Sequence, residues 1–173
     1  MVTLHHPTVP LRSAPCTCFI SAAGTRSLRA SSQTHRMPTT HCVVVSPDFA
    51  HDGMAFAGMR GTSGARRGLW CTYDGGRTWE HLLHQWEPVL LAISPNFSHD
   101  ATLWAICDQG RVRCSRTSGA SWNTRGPVPR HTVLGLYALP AGLPAVRLLL
   151  TTTGGHLASD DEGWHWDSMQ DAS

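Results

Sequence analysis

The chain contains no lysine, so its fourteen basic residues are all arginine. Within residues 41–173, ten arginines are scattered among twelve carboxylates. No one-signed surface is available for a phosphate backbone, which argues against nucleic acid as a partner. The arginine-only usage reads as codon preference in a GC-rich genome rather than as a phosphate site. Long apolar runs are also missing. None approaches the ~20 residues of a membrane-crossing helix, so no membrane span is expected. No segment carries a sustained helical stripe. Glutamate is limited to Glu80, Glu87 and Glu162, and tyrosine to Tyr73 and Tyr137. The six cysteines do not form a metal element: Cys16-x-Cys18 is too closely spaced and no second pair follows. Cys71 and Cys114 fill one recurring slot that holds Ala158 in the third copy, which marks it as a small core position.

What the chain does have is one sentence written three times. Thr72 to Trp79 (TYDGGRTW) recurs as Ser115 to Trp122 (SRTSGASW) and as Ser159 to Trp166 (SDDEGWHW). The closing tryptophans lie 43 and then 44 residues apart. A fixed period of that length signals a repeat architecture. A second anchor precedes each box. Val43-Val44-Val45-Ser46-Pro47-Asp48-Phe49 matches Leu91-Ala92-Ile93-Ser94-Pro95-Asn96-Phe97, with a looser copy at Leu134 to Pro140.

Each unit reads as four short strands punctuated by Gly, Pro, Asn and Asp, the pattern of an all-β fold. The expected strands are His41–Ser46, Met54–Met59, Gly68–Tyr73 and Thr78–Leu83 in the first unit. In the second they are Val89–Ile93, Thr102–Cys107, Arg111–Ser115 and a short strand from Ser121 that includes Trp122. The third gives Thr132–Leu139, Ala145–Thr152, His156–Ser159 and Trp164–Asp167. The box itself reads as a hairpin turn. Gly76, Gly119 and Gly163 allow positive φ. Asp74 and Asp161 can accept turn amides, and Thr72, Ser115 and Ser159 add a hydroxyl. Thr78 completes the first copy. Trp79, Trp122 and Trp166 are expected to anchor each turn in a blade core, with truncation of Trp79 costing ~3–5 kcal/mol. Thr117 stands where the other copies have Asp, so the second turn is expected to be the loosest.

The pattern Ser/Thr-x-Asp-x-Gly-x-Thr-Trp resembles the Asp-box, or BNR repeat, of sialidase-like β-propellers. The first copy fits at every defining position, and the likeness covers about residues 41–168. The resemblance implies a partial β-propeller of three four-stranded antiparallel blades, spanning about 41–85, 86–130 and 131–168. It also implies that the boxes are structural and lie away from the central ligand face. The superfamily holds sialidases, sortilin-type receptors and photosystem II assembly factors, so it specifies fold far better than function.

A sialidase needs an arginine triad, a Tyr/Glu pair and an Asp. Tyr73 and Glu162 lie inside boxes, Tyr137 has no evident partner, and no carboxylate pair for acid/base work can be nominated. We therefore assign no catalytic residue, no cofactor and no metal ligand. His51-Asp52 and His99-Asp100 recur in register, so they read as a repeated loop after the inner strand in which Asp caps a turn. His81 and His84 are expected to face opposite sides of one strand. The reading is a non-catalytic module or fragment with a structural role or a protein- or glycan-binding role. A fragment of a sialidase-like glycoside hydrolase and a photosystem II assembly factor-like scaffold are the alternatives. Propellers have ~4–8 blades, so three blades point to missing blades from another chain or to self-association. Residues 1–40, with four arginines and no carboxylate, read as a disordered leader of transit-peptide-like composition. The compartment, secreted or bacterial cytoplasmic, stays open.

Overall fold

Short apolar runs that alternate with polar residues and end at Gly, Pro or Asp can satisfy their backbone groups only by pairing in sheets. The computed structural model describes residues 39–61, 67–129, 132–142 and 145–169. The first blade is β1 (Thr39–Val45), β2 (Ala55–Arg60), β3 (Gly68–Thr72) and β4 (Glu80–Leu83). The second is β5 (Pro88–Ile93), β6 (Leu103–Cys107), β7 (Arg111–Ser115) and β8 (Asn123–Pro127). The third is β9 (Val133–Pro140), β10 (Val146–Thr152), β11 (Gly155–Ser159) and β12 (Asp167–Ser168). Each blade is an antiparallel meander in sequence order. The described residues are thus all-β, with three four-stranded antiparallel blades as expected. The expected leader, residues 1–40 with Cys16 and Cys18, lies outside the described residues except for Thr39 and Thr40, which belong to β1. The first strand begins at Thr39.

Side chains on a strand alternate between faces, so each interior blade feeds two cores. Leu91 joins a cluster with Phe56, Leu69, Cys71, Leu103 and Ala105 between the first and second blades. Its neighbour Ala92 joins Trp104, Ile106, Val112, Leu136, Leu148 and Leu150 between the second and third. Phe56 meets Phe97 edge to face at 5.6 Å. Leu148 and Leu150 are fully buried, and each contributes about 1.5–3 kcal/mol by leaving water. Strands β1, β5 and β9 form one edge of their respective sheets and pack against one another in turn.

Two expectations shift. The fourth strands begin one residue after each box tryptophan, at Glu80, Asn123 and Asp167. In the first two boxes the indole N–H donates back to the glycine carbonyl, Trp79 to Gly76 at 3.2 Å and Trp122 to Gly119 at 2.8 Å, which keeps Trp within the turn. The Ser-Pro-x-Phe element is not an open loop but one helical turn, α1 (Phe49–Asp52) and α2 (Phe97–Asp100). The looser third copy lacks the Phe and Asp, and there β9 runs on to Pro140.

Candidate functional site

Two regions of each blade hold the sequence-predicted residues, and they lie at opposite ends of the inner strands. At the end where β1 and β5 finish, a serine hydroxyl organises the helical turn. Ser46 Oγ donates to Asp52 Oδ2 at 2.5 Å and accepts the Asp48 amide, while Asp52 Oδ1 accepts the Met54 amide at 2.8 Å. Ser94, Asn96, Asp100 and Thr102 repeat the same bonds. Asp52 and Asp100 therefore act as turn caps. Among the described residues no group of three or more His, Cys, Asp or Glu is gathered to hold a metal ion.

The boxes sit beside these turns, tied by the Gly75 amide to Gly53 O and the Ser118 amide to Ala101 O, both at 3.0 Å. In the first box Thr72 donates to Asp74 Oδ1 at 2.8 Å and accepts the Gly76 amide at 2.9 Å. Asp74 also accepts the Thr78 amide and hydroxyl at 2.9 and 2.7 Å. These bonds, with Thr78 foremost, hold its carboxyl at about 2. In the third box Ser159 accepts the Gly163 amide, and Asp161 accepts the Ser159 hydroxyl and the His165 amide. Burial works to raise the Asp161 carboxyl, but His165 and Ser159 outweigh it and hold it at about 2. The second box keeps the Ser115–Gly119 bond, and Thr117 Oγ1 accepts the Ser121 amide at 2.9 Å. That turn does lose the two-oxygen acceptor of its neighbours. The glycines have φ of +89°, +85° and +90°. The residue before each is left-handed too: Gly75, Ser118 and Glu162. Reading each box for a single left-handed residue misses this second position, although alignment of the copies on Gly75 carries the signal.

Packing separates the three boxes. A Cβ on Gly119 would meet Leu69 at 3.1 Å and Leu82 at 3.2 Å, both from the preceding blade. One on Gly163 would meet Val112, again from the preceding blade, at 2.8 Å. One on Gly76 would meet nothing nearer than its own Trp79 ring at 3.9 Å. Trp122 packs on the first core, edge to face with Trp86 at 5.1 Å, and Trp166 packs on the second. Trp79 belongs to neither core, which corrects the expectation that it is a buried anchor. Each box is seated on the blade before it, and the first blade has no such neighbour among the described residues. Glu162 reinforces the second seat: Arg116 and Arg125 of the preceding blade both donate to its carboxylate, Arg125 at 2.8 Å. Burial opposes ionisation there, and the two guanidiniums still keep the carboxyl below its ordinary value.

At the opposite end, near where the inner strands begin, a groove of about 350 Å³ crosses β1, β5 and β9. Cys42, Leu90, Leu91, Leu134, Gly135 and Tyr137 give it its character. None of the groove residues is a carboxylate or an arginine. Burial pushes the Cys42 thiol up to about 12, so it stays protonated and unreactive. Tyr137, 51% exposed, folds back across its own strand. A Cβ on Gly135 would lie 2.8 Å from its ring edge and its hydroxyl oxygen, so the bare glycine makes that pose possible. Because β1, β5 and β9 are edge strands, they keep unpaired backbone donors and acceptors on their inner side. His81 and His84 are not on opposite faces: β4 ends at Leu83, and their rings approach to 5.3 Å, with His81 stacked on Trp70.

No protein-family model matches the chain, and no curated protein matches it. Among solved structures the chain is similar to YCF48 from Cyanidioschyzon merolae, with TM-score 0.55 and 19% identity over 75% of this chain and 36% of that one. It is also similar to YCF48 bound to D1 peptide, with TM-score 0.51 and 17% identity over 75% of this chain and 40% of that one. The chain therefore spans well under half the length of these structures. At such identities the likeness carries the fold alone: by its fold the chain is a β-propeller, of which the described residues form three consecutive blades.

Proposed function

We propose that the chain is a non-catalytic BNR-like, Asp-box propeller module that acts as an interaction scaffold, with the inner-strand groove taking an extended apolar protein segment. The groove carries the reading. Its lining is apolar, its only titratable side chains are His41, Cys42 and Tyr137, and three strand edges offer backbone hydrogen bonds along it. Added-strand recognition uses this combination, with main-chain bonds for affinity and alternate side-chain pockets for selection. The hydrogen-bonded boxes stand at the other end of the inner strands, which supports their assignment as structural Asp-boxes: Thr72, Asp74, Gly76, Thr78 and Trp79, then Ser115, Gly119 and Trp122, then Ser159, Asp161, Gly163 and Trp166. The unit boundaries of about 41–85, 86–130 and 131–168 belong to the same proposal.

A second reading, a photosystem II assembly factor-like scaffold, is favoured by the likeness to YCF48, one example of which is bound to D1 peptide. The sialidase-fragment alternative has no residue set in the groove to support it. A fluorescein-labelled peptide of alternating valine and threonine tests the groove by anisotropy, and D1 peptide tests the second reading. Binding that Leu134→Asp abolishes is expected. Binding that is indifferent to Leu134→Asp and Gly135→Val would remove the groove from the reading. Hydrolysis of a fluorogenic sialoside that disappears in Tyr137→Phe would overturn the non-catalytic assignment.

A further inference from the structure

The two contacts between blades are built alike except at one seat. In the first contact Phe97, from the second blade's helical turn, is buried beside Phe56 of the first blade, edge to face at 5.6 Å. Trp104 holds the position of Phe56 in the second blade. Each pairs on one side with the inner strand, at Val44 or Ala92, and on the other with the cysteine before the box, Cys71 or Cys114. The third blade has no counterpart of Phe97, because no phenylalanine stands between β9 and β10. Beside Trp104 lies instead a pocket of about 330 Å³, bordered by Thr102 of the second blade and by Ala145 and Val146 of the third. Trp104 is 2% exposed, and its buried indole N–H has no acceptor. Such a donor is costly, and uncommon in native interiors. The charged side chains around the pocket are, by contrast, already matched. Arg116 and Arg125 both donate to Glu162. Arg147 forks onto Asp160 at 2.6 and 2.8 Å, and Asp100 accepts the Ser94 hydroxyl and the Thr102 amide. No charge among these lining residues is left over for an ionic ligand, and a buried ion without a partner is strongly disfavoured.

We infer that this pocket between the second and third blades binds a small, uncharged aromatic molecule that carries a hydrogen-bond acceptor. The ring takes the seat that Phe97 fills in the first contact, and the acceptor meets the Trp104 N–H. The volume lies at the small end of the ~300–1,000 Å³ of ligand sites, which suits one ring rather than two. A neutral acceptor satisfies the indole without disturbing the ion pairs at the rim, whereas a charged group would have to compete with them. The pocket shares no lining residue with the inner-strand groove, so the inference is independent of what the groove takes.

Benzamide and toluene test the proposal, one with a carbonyl acceptor and one without, titrated into the full chain with its tryptophan indoles isotope-labelled for nuclear magnetic resonance. The chain has seven tryptophans, and the Trp104 signal is identified by its loss in Trp104→Phe. Benzamide is expected to move that signal downfield and to show Overhauser contacts to the Val146 methyls. Toluene is expected to show the contacts without the shift. Trp104→Phe, which installs the residue of the first contact, is expected to weaken benzamide about tenfold and to leave toluene unchanged. Val146→Phe, which fills the pocket from the third blade, is expected to abolish binding of both. Benzoate and benzamidine are expected to bind about tenfold more weakly than benzamide. No binding of benzamide at millimolar concentration overturns the proposal, as does binding that Val146→Phe leaves unchanged. Toluene bound as tightly as benzamide overturns the role of the Trp104 N–H, and benzoate or benzamidine bound as tightly overturns the uncharged ligand. Should Trp104→Phe not fold, the contacts to Val146 in the wild-type chain and the Val146→Phe titration decide alone.

Discussion

Replacing the box glycines by alanine, one at a time, measures how each blade is seated on the one before. All three have φ near +90°, so each alanine carries a similar backbone cost of about 1–2 kcal/mol. The added methyl group then meets three different surroundings. At Gly76 the nearest foreign atoms are its own tryptophan ring at 3.9 Å, ordinary contact. At Gly163 it lands 2.8 Å from Val112 Cγ1 and 3.3 Å from Val112 Cβ. Val112 is fully buried and β-branched, so its χ1 has little freedom to swing away. Overpacking of that kind adds about 1–3 kcal/mol. Gly163→Ala is therefore expected to cost about 3–4 kcal/mol and Gly76→Ala about 1–2, with Gly119→Ala between them because flexible leucine ends give way more readily. Urea melts read this directly. With m near 1–3 kcal/mol per molar urea, the midpoints of the Gly76 and Gly163 variants should differ by about 1 M. Adding Val112→Ala to Gly163→Ala removes the colliding methyl group, and the pair should cost about 1–2 kcal/mol less than the sum of the single changes. Equal shifts at Gly76 and Gly163, or a strictly additive cycle, would refute the seating of the third box on the second blade.

Two further outcomes follow from the same geometry. Trp122→Ala loses contact with Trp86 and the first core, and is expected to cost about 3–4 kcal/mol; Trp79→Ala, half-buried but packed on neither core, is expected to cost less, about 1–2 kcal/mol. Equal melting midpoints for the two variants would contradict the packing. The carboxyls of Asp74 and Asp161 titrate at about 2 when folded against an ordinary 3.8. Lowered folded values mean that their stabilisation is complete above pH 4 and fades as pH falls through ~4 to ~2. Thermal melts between pH 2 and 5 should show Tm falling with acid, and Asp74→Asn should lower Tm near pH 5 while flattening that fall. An Asp74→Asn variant with the wild-type slope would remove that carboxylate from the account.

The period of the boxes, the alternation along each strand and the turn chemistry are properties of neighbouring residues, and amino-acid order alone dictates them. Hence three four-stranded blades, left-handed glycines and hydroxyl-to-amide bonds in every box are all legible in the chain as written. The strand ends are less legible, because Trp79 and Trp122 are held by hydrogen bonds to Gly76 and Gly119 that compete with pairing. His81 and His84 illustrate the same limit: alternation stops governing where β4 stops. Packing in three dimensions settles which copy of an equivalent residue meets a neighbouring blade. Gly76, Gly119 and Gly163 read alike, as do Trp79, Trp122 and Trp166, yet only the later two of each set touch a preceding blade. The groove, too, exists only because β1, β5 and β9 come from units more than forty residues apart and are set side by side by the packing of whole blades. A repeat specifies its own internal contacts with local sequence, but its outer faces acquire meaning from the neighbour that covers them, and that neighbour is a fact of assembly.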